Sequence, residues 1–206
     1  MPANQRLLCL MMLVAASSLS SCATTEAEPA ARGAIQFGYR HMRDDAFGRL
    51  GDQLYARLEG DFRGVNWPVW LHTSIGAGTR SYSESKKTCF LFWCQEQTVT
   101  MASTTVDGSI GARYWGQFPD SSARWYAGLG GSTVHADLDR YIGNLQKVGT
   151  SGSTLGLHLE AGISWPTSYG GWGVHWRSYR GGTTKLFDQD ASNDFDELGI
   201  YFQHIW

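Results

Sequence analysis

The sequence predicts an all-β fold, an eight-stranded antiparallel transmembrane β-barrel. Three observations carry this expectation. Segments in which apolar and polar residues alternate with period two recur along the chain, as strands with one apolar face require. The connections between these segments alternate between long and short. Tryptophan concentrates at the short-turn ends. The composition agrees. The 25 glycines and 13% aromatic residues argue against an all-helical chain. No internal run approaches the roughly 18 apolar residues of a helical span. A length of 206 residues suits one domain.

The strands follow in order. In the first, Ile35, Phe37 and Tyr39 alternate with Gln36, Gly38 and Arg40. The second, residues 53–62, is the clearest. Leu54, Ala56, Leu58, Gly60 and Phe62 share one face, and Tyr55, Arg57, Glu59 and Asp61 share the other. A row of Arg, Glu and Asp fits a barrel whose apolar face meets lipid and whose polar face meets a packed or watery lumen. In the third, Val69, Leu71, Thr73, Ile75 and Ala77 alternate with Trp70, His72, Ser74, Gly76 and Gly78. The fourth and fifth, residues 98–115 and 124–136, alternate less cleanly, and their Gly and Ser content suggests tight interior positions. The sixth sets Leu155, Leu157, Leu159, Ala161 and Ile163 against Thr154, Gly156, His158, Glu160 and Gly162. The seventh sets Trp172, Val174 and Trp176 against Gly173, His175 and Arg177. The eighth covers residues 197–206. An even number lets the last strand pair antiparallel with the first, which removes exposed edges.

The odd-numbered connections, residues 43–52, 81–97, 137–152 and 181–196, are long and mostly polar or Gly-rich. The even-numbered ones, 63–68, 116–123 and 166–171, are short and carry the Pro, Gly, Asn and Asp of tight turns. Short periplasmic turns and long external loops have this pattern. Trp67, Trp115, Trp125, Trp165, Trp172 and Trp206 all fall on the short-turn side, where an interfacial aromatic girdle belongs.

Residues 1–21 read as a signal peptide, with Arg6 as the positive region and an apolar stretch from Leu7 to Ala16. The cleavage region Leu19-Ser20-Ser21-Cys22 resembles the lipobox of bacterial lipoproteins. That resemblance implies that Cys22 is the mature N-terminus and carries lipid; the alternative is an ordinary cut near Ser21 or Ala23. Residues 22–32 then form a flexible tether and residues 33–206 the barrel. The C-terminal segment resembles the terminal assembly signal of bacterial outer-membrane barrels. Trp206 matches the closing aromatic, Leu198, Ile200 and Phe202 match the apolar row, and His204 departs from it. Together these features resemble the small eight-stranded outer-membrane class. They imply a bacterial outer-membrane location with a periplasmic N-terminus and outer-membrane lipid as the surroundings. With Cys9 in the signal peptide and Cys22 lipidated, Cys89 and Cys94 remain as an even pair in an oxidising compartment. A disulfide closing the third connection is their simplest use.

The formal net charge of −2 gives no reason to expect nucleic-acid binding. No Gly-rich phosphate loop leads from a strand into a helix, and no cofactor is expected. The inferred inner face carries Arg57, Glu59, Asp61, His72, Arg113, His158, Glu160, His175 and Arg177 as an interior polar network, with Arg40, Tyr55 and Arg80 on the same face. Charges in so narrow a lumen must be paired. This favours a non-enzymatic lipoprotein barrel with a structural or partner-binding role. One alternative is an enzyme acting on lipid A. His72-Thr73-Ser74 resembles the His-x-Ser pair of lipid A deacylases, though it falls on the inner face near the turn side. Another is a lipid-tethered periplasmic lipocalin-like domain, which needs an apolar lumen. His158, Glu160 and His175 are the residues a zinc ion would use; a His–Glu hydrogen bond is the commoner outcome. The third connection also holds Phe90, Leu91, Phe92 and Trp93, an apolar run that can fold over the barrel mouth, dip into the outer leaflet or dock an envelope protein, the last two being preferred, with Lys86 and Lys87 beside it for anionic groups.

Overall fold

In the computed structural model, residues 31–64, 67–90, 93–142, 146–168 and 170–205 are described. Alternation along each segment drives the architecture: a strand with one apolar and one polar face is stable only if the two faces meet different surroundings. The strands are β1 (Ala31–Met42), β2 (Asp52–Phe62), β3 (Trp70–Phe90), β4 (Trp93–Gln117), β5 (Arg124–Ile142), β6 (Gln146–Thr167), β7 (Gly170–Gly181), β8 (Thr183–Leu186), β9 (Gln189–Ser192) and β10 (Phe195–Ile205). Eight of them form a closed antiparallel barrel in the order β1-β10-β7-β6-β5-β4-β3-β2. β1 closes it, pairing with β10 from Arg32↔Ile205 to Met42↔Phe195 and with β2 from Ala31↔Phe62 to His41↔Asp52. The signal peptide, Cys22, most of the tether, Leu91, Phe92 and Trp206 lie outside the described residues. Among the described residues no helix is long and apolar enough to cross a membrane.

The two faces separate as their residues demand. Ile35, Phe37, Leu54, Ile110, Leu129, Leu155, Leu157, Leu198 and Ile200 all point outward and are exposed, Leu155 at 77%. Gln36, Arg40, Arg57, His72, His158, His175 and Arg177 point inward and are buried. A soluble barrel does the reverse. The lipocalin-like alternative is therefore overturned: the lumen is charged and the outer surface apolar.

The odd-numbered connections depart from their expected form. A strand needs about 9–11 residues to span a bilayer, whereas β3, β4, β5 and β6 have 21, 25, 19 and 22. β2 leaves β3 at Leu54↔Thr79, but β3 and β4 stay paired to Phe90↔Trp93. β4 meets β5 from Val99↔Ile142, and β6 meets β7 only from Gly156↔Gly181. The expected loops 81–97 and 137–152 are thus mostly continuous strand, an open sheet rising from one wall of the barrel. The seventh connection contains the β8–β9 hairpin, and the first a 3-10 segment, Asp45–Leu50, whose N-cap Asp44 accepts a bond from the Ala46 amide. These two fold over the mouth. Met42, Phe47, Leu50, Val134, Leu138, Tyr179, Leu186 and Phe195 form an apolar cap above the charged lumen.

Two side-chain placements differ from the sequence reading. Arg80 is exposed, because β3 has passed the barrel rim by that point. Trp115 faces the lumen and not the girdle. It lies on the same side of β4 as Arg113, and its indole donates to Asp61 at 3.1 Å. Outward aromatics on the short-turn side include Trp67, Tyr114, Trp165 and Trp172, with Trp165 and Trp172 stacked at 4.8 Å across their hairpin.

Candidate functional site: a sealed charged lumen

Five guanidiniums and five carboxylates are buried inside the barrel among the described residues: Arg32, Arg40, Arg57, Arg113 and Arg177 against Glu59, Asp61, Asp107, Glu160 and Glu197. The balance follows from physics. An uncompensated ion in so dry a space costs several kcal/mol, roughly. The ten groups come from six strands, β1, β2, β4, β6, β7 and β10, so the network also ties the walls together.

The upper tier joins β1, β2, β4, β7 and β10. Arg40 Nε donates to Glu197 at 2.6 Å, its Nη1 to Thr105 at 2.6 Å, and its Nη2 to Asp107. Arg57 donates to Glu197 at 2.5 Å and to Asp107 at 2.8 Å. Arg177 lies 3.7 Å from Asp107 and donates to Ser132 at 2.7 Å. In the lower tier Arg113 sits among three carboxylates, 2.9 Å from Glu160, 3.1 Å from Glu59 and 3.2 Å from Asp61. His72 Nδ1 meets Asp61 at 2.8 Å. At the short-turn end the Arg32 guanidinium packs on Trp70 and Trp115, 4.2 and 4.6 Å from the ring centroids.

Inward glycines provide the room. A Cβ at Gly76 would lie 2.9 Å from Asp107 Oδ1 and 3.1 Å from Arg57 Nε, and one at Gly128 would lie 2.6 Å from Glu160 Oε1. The Gly content of the lumen face is therefore space for charged side chains.

The sequence-derived site residues are distributed as follows. Arg57, Glu59, Asp61, His72, Arg113, Glu160 and Arg177 all join the ion-pair network. His158 instead meets Ser132 at 2.7 Å, and His175 meets Tyr126 at 2.5 Å. His158, Glu160 and His175 therefore take separate partners. The carboxylate–histidine group that does converge is Glu59, His72 and Glu160, and the cation at its centre is Arg113. Arg113 is therefore the cation that these donors share. The His-x-Ser pair is split as well: Ser74 bonds Ser109 at 2.6 Å, and His72 turns to Asp61. Both face the sealed lumen, away from lipid. Cys89 and Cys94 are directly paired and disulfide-bonded. Phe90 and Trp93 are paired backbone positions beside them. Reading the sequence missed Asp107 and Glu197 as network members. Parity along β10 marks Glu197, since Leu198, Ile200 and Phe202 face out. Asp107 sits in the strand with the weakest alternation, where only its charge among Ser, Thr and Gly signals it.

No family model matches the sequence, and no curated protein sequence matches it. Among solved structures the chain is similar to Neisserial surface protein A, with a TM-score of 0.57 and 14% identity over 88% of this chain and 100% of that one. It is also similar to Ail, the attachment invasion locus protein of Yersinia pestis, in complex with the heparin analogue sucrose octasulfate, with a TM-score of 0.48 and 13% identity over 86% of this chain and 99% of that one. At such identity the first likeness bears on the fold alone. The chain has the eight-stranded antiparallel closed barrel of small outer-membrane proteins.

Proposed function

We propose that this protein is a sealed, non-enzymatic barrel of the bacterial outer membrane, with a structural role and an external sheet that presents a partner-binding surface. The observation that carries the reading is the lumen itself. Its five guanidiniums and five carboxylates balance in number among the described residues, an apolar cap covers one end, and the Arg32 guanidinium packs on two indoles at the other. Such an interior offers neither a conduit nor a nucleophile that lipid can reach. The apolar outer face supports a lipid environment. Both chain ends of the barrel lie on the short-turn side, which in this reading is periplasmic, with Cys22 as a lipid anchor and residues 1–21 as its signal peptide.

The deciding test is twofold. Purified protein in planar bilayers is expected to give no stable conductance. Mass spectrometry of lipid A from cells with and without the protein is expected to show one acylation pattern, unchanged by Ser74→Ala. Steady single-channel currents, or an acyl chain lost only when the wild-type protein is present, overturns the reading. For the anchor, Cys22→Ala is expected to abolish lipid labelling while leaving the barrel in the outer-membrane fraction. Wild-type protein that takes up no lipid label refutes the anchor alone.

A further inference from the structure

Among the described residues, β3 beyond Thr79 has a hydrogen-bonded neighbour on one side only. Its other side offers a row of unsatisfied backbone donors and acceptors, which most proteins cover or shorten. Here the edge is long, running from Arg80 to Phe90 beside β4 alone among the described residues. Past Glu84↔Val99 only β3 and β4 remain paired, and a two-stranded ribbon is marginal in water. The Cys89–Cys94 disulfide joins a directly paired position near its end and fixes the register. A staple there adds nothing to the barrel, but it holds the edge extended, which lowers the ordering cost of any strand that pairs with it.

The same edge flanks a groove of about 460 Å³ above the capped mouth. Its floor is Phe47, Leu50, Met101 and Leu138, and Tyr82 on β3 forms one wall. The rim is charged with both signs: Arg49, which stacks 5.0 Å from the Tyr82 ring, with Arg140 and Glu84. We propose, building on the partner-binding reading above, that the β3 edge between Arg80 and Lys87 takes up an extended peptide of a partner protein as an added strand. Its inward side chains seat on the apolar floor, and its charges answer the edge, basic opposite Glu84 and acidic opposite Lys87. Strand addition draws its affinity from main-chain hydrogen bonds and its specificity from alternate side-chain pockets, and this edge with its groove supplies both. A second copy in the same membrane is a poor occupant. It stands in the same orientation, so a two-fold along the membrane normal runs the edges parallel and puts equivalent residues at one height on opposite faces, which a pleated parallel pair does not accommodate.

The test uses the full chain in lipid nanodiscs and a displayed library of random peptides of about a dozen residues, with empty nanodiscs as counter-selection. Enriched peptides are expected to slow amide exchange along Arg80 to Lys87. Glu84 is exposed and outside the lumen network, so Glu84→Arg is expected to fold normally. It should weaken a peptide with a basic residue at the facing position by about fivefold, and an acidic residue at that position should restore binding. Phe187→Ser, at the exposed end of the groove, should also weaken binding. Peptides that bind while leaving β3 exchange unchanged overturn the proposal, as does a library that yields nothing above empty nanodiscs. A concentration-dependent dimer whose β3 amides are already protected assigns the edge to a second copy and overturns it too. None of these outcomes touches the sealed-barrel reading, which is tested by conductance and lipid A without any peptide.

Discussion

Arg57 illustrates how single residues hold this barrel. Its guanidinium, fully shielded from solvent, bonds Asp107 from β4 and Glu197 from β10. Replacing it with Met keeps the bulk and leaves two buried carboxylates sharing Arg40, with Arg177 farther off. The expected loss is about 3–5 kcal/mol, read as a lower urea midpoint for the compact, heat-modifiable band in detergent. The cost belongs to the stranded charges and not to the missing bond. A Glu197→Met change added to Arg57→Met should therefore cost less than the sum of the single variants, by roughly 1–3 kcal/mol of coupling. Additive losses would show that the two side chains do not act as a pair. Gly76→Val makes the same point from the strand between them, where Gly76 is the register partner of both Arg57 and Asp107. Its side chain would occupy the space of Asp107 and Arg57, and the folded yield should fall in pulse-refolding into micelles.

At the scale of elements, the β3–β4 ribbon and the barrel strands should respond separately. Cys89→Ser with Cys94→Ser removes the staple, worth roughly 2–3 kcal/mol on a chain-entropy account. The barrel walls are tied by continuous pairing and by the lumen network, neither of which involves the staple. Hydrogen exchange is expected to speed up in the ribbon beyond Glu84↔Val99 and to stay unchanged from Trp70 to Thr79. Faster exchange throughout β3 would mean that ribbon and barrel unfold as one unit.

For the whole molecule, the outward apolar band is the property that selects a membrane. Leu157 is 72% exposed on β6, with Leu155 and Leu159 on the same face. Leu157→Arg is expected to cost about 2–4 kcal/mol if that position lies near the bilayer midplane, and less toward either interface. Reversible unfolding from liposomes measures this. The same substitution at exposed Ser83 on the external sheet should cost almost nothing. Equal costs at the two positions would contradict the membrane span.

The sequence by itself determined the faces. Strict alternation at residues such as Leu54 to Asp61 and Leu155 to Ile163 assigns each side chain to lipid or lumen, because a strand's period of two leaves no other freedom. Parity then carries the inward Arg, His and Glu residues with it, and the even strand number implies closure. Tertiary structure decided what parity cannot. Which carboxylate meets which guanidinium depends on register around the barrel, so the pairing of Arg57 with Asp107 and Glu197 emerges only once β4 and β10 are placed two strands from β2 on either side. Strand lengths beyond the membrane were equally hidden. With water on both faces, residues such as Ser81, Ser83, Thr98 and Thr100 need no apolar alternation. Only their cross-strand pairing, Ser83 to Thr100 at 2.9 Å and Ser85 to Thr98 at 3.2 Å, extends the sheet where the sequence suggested a loop.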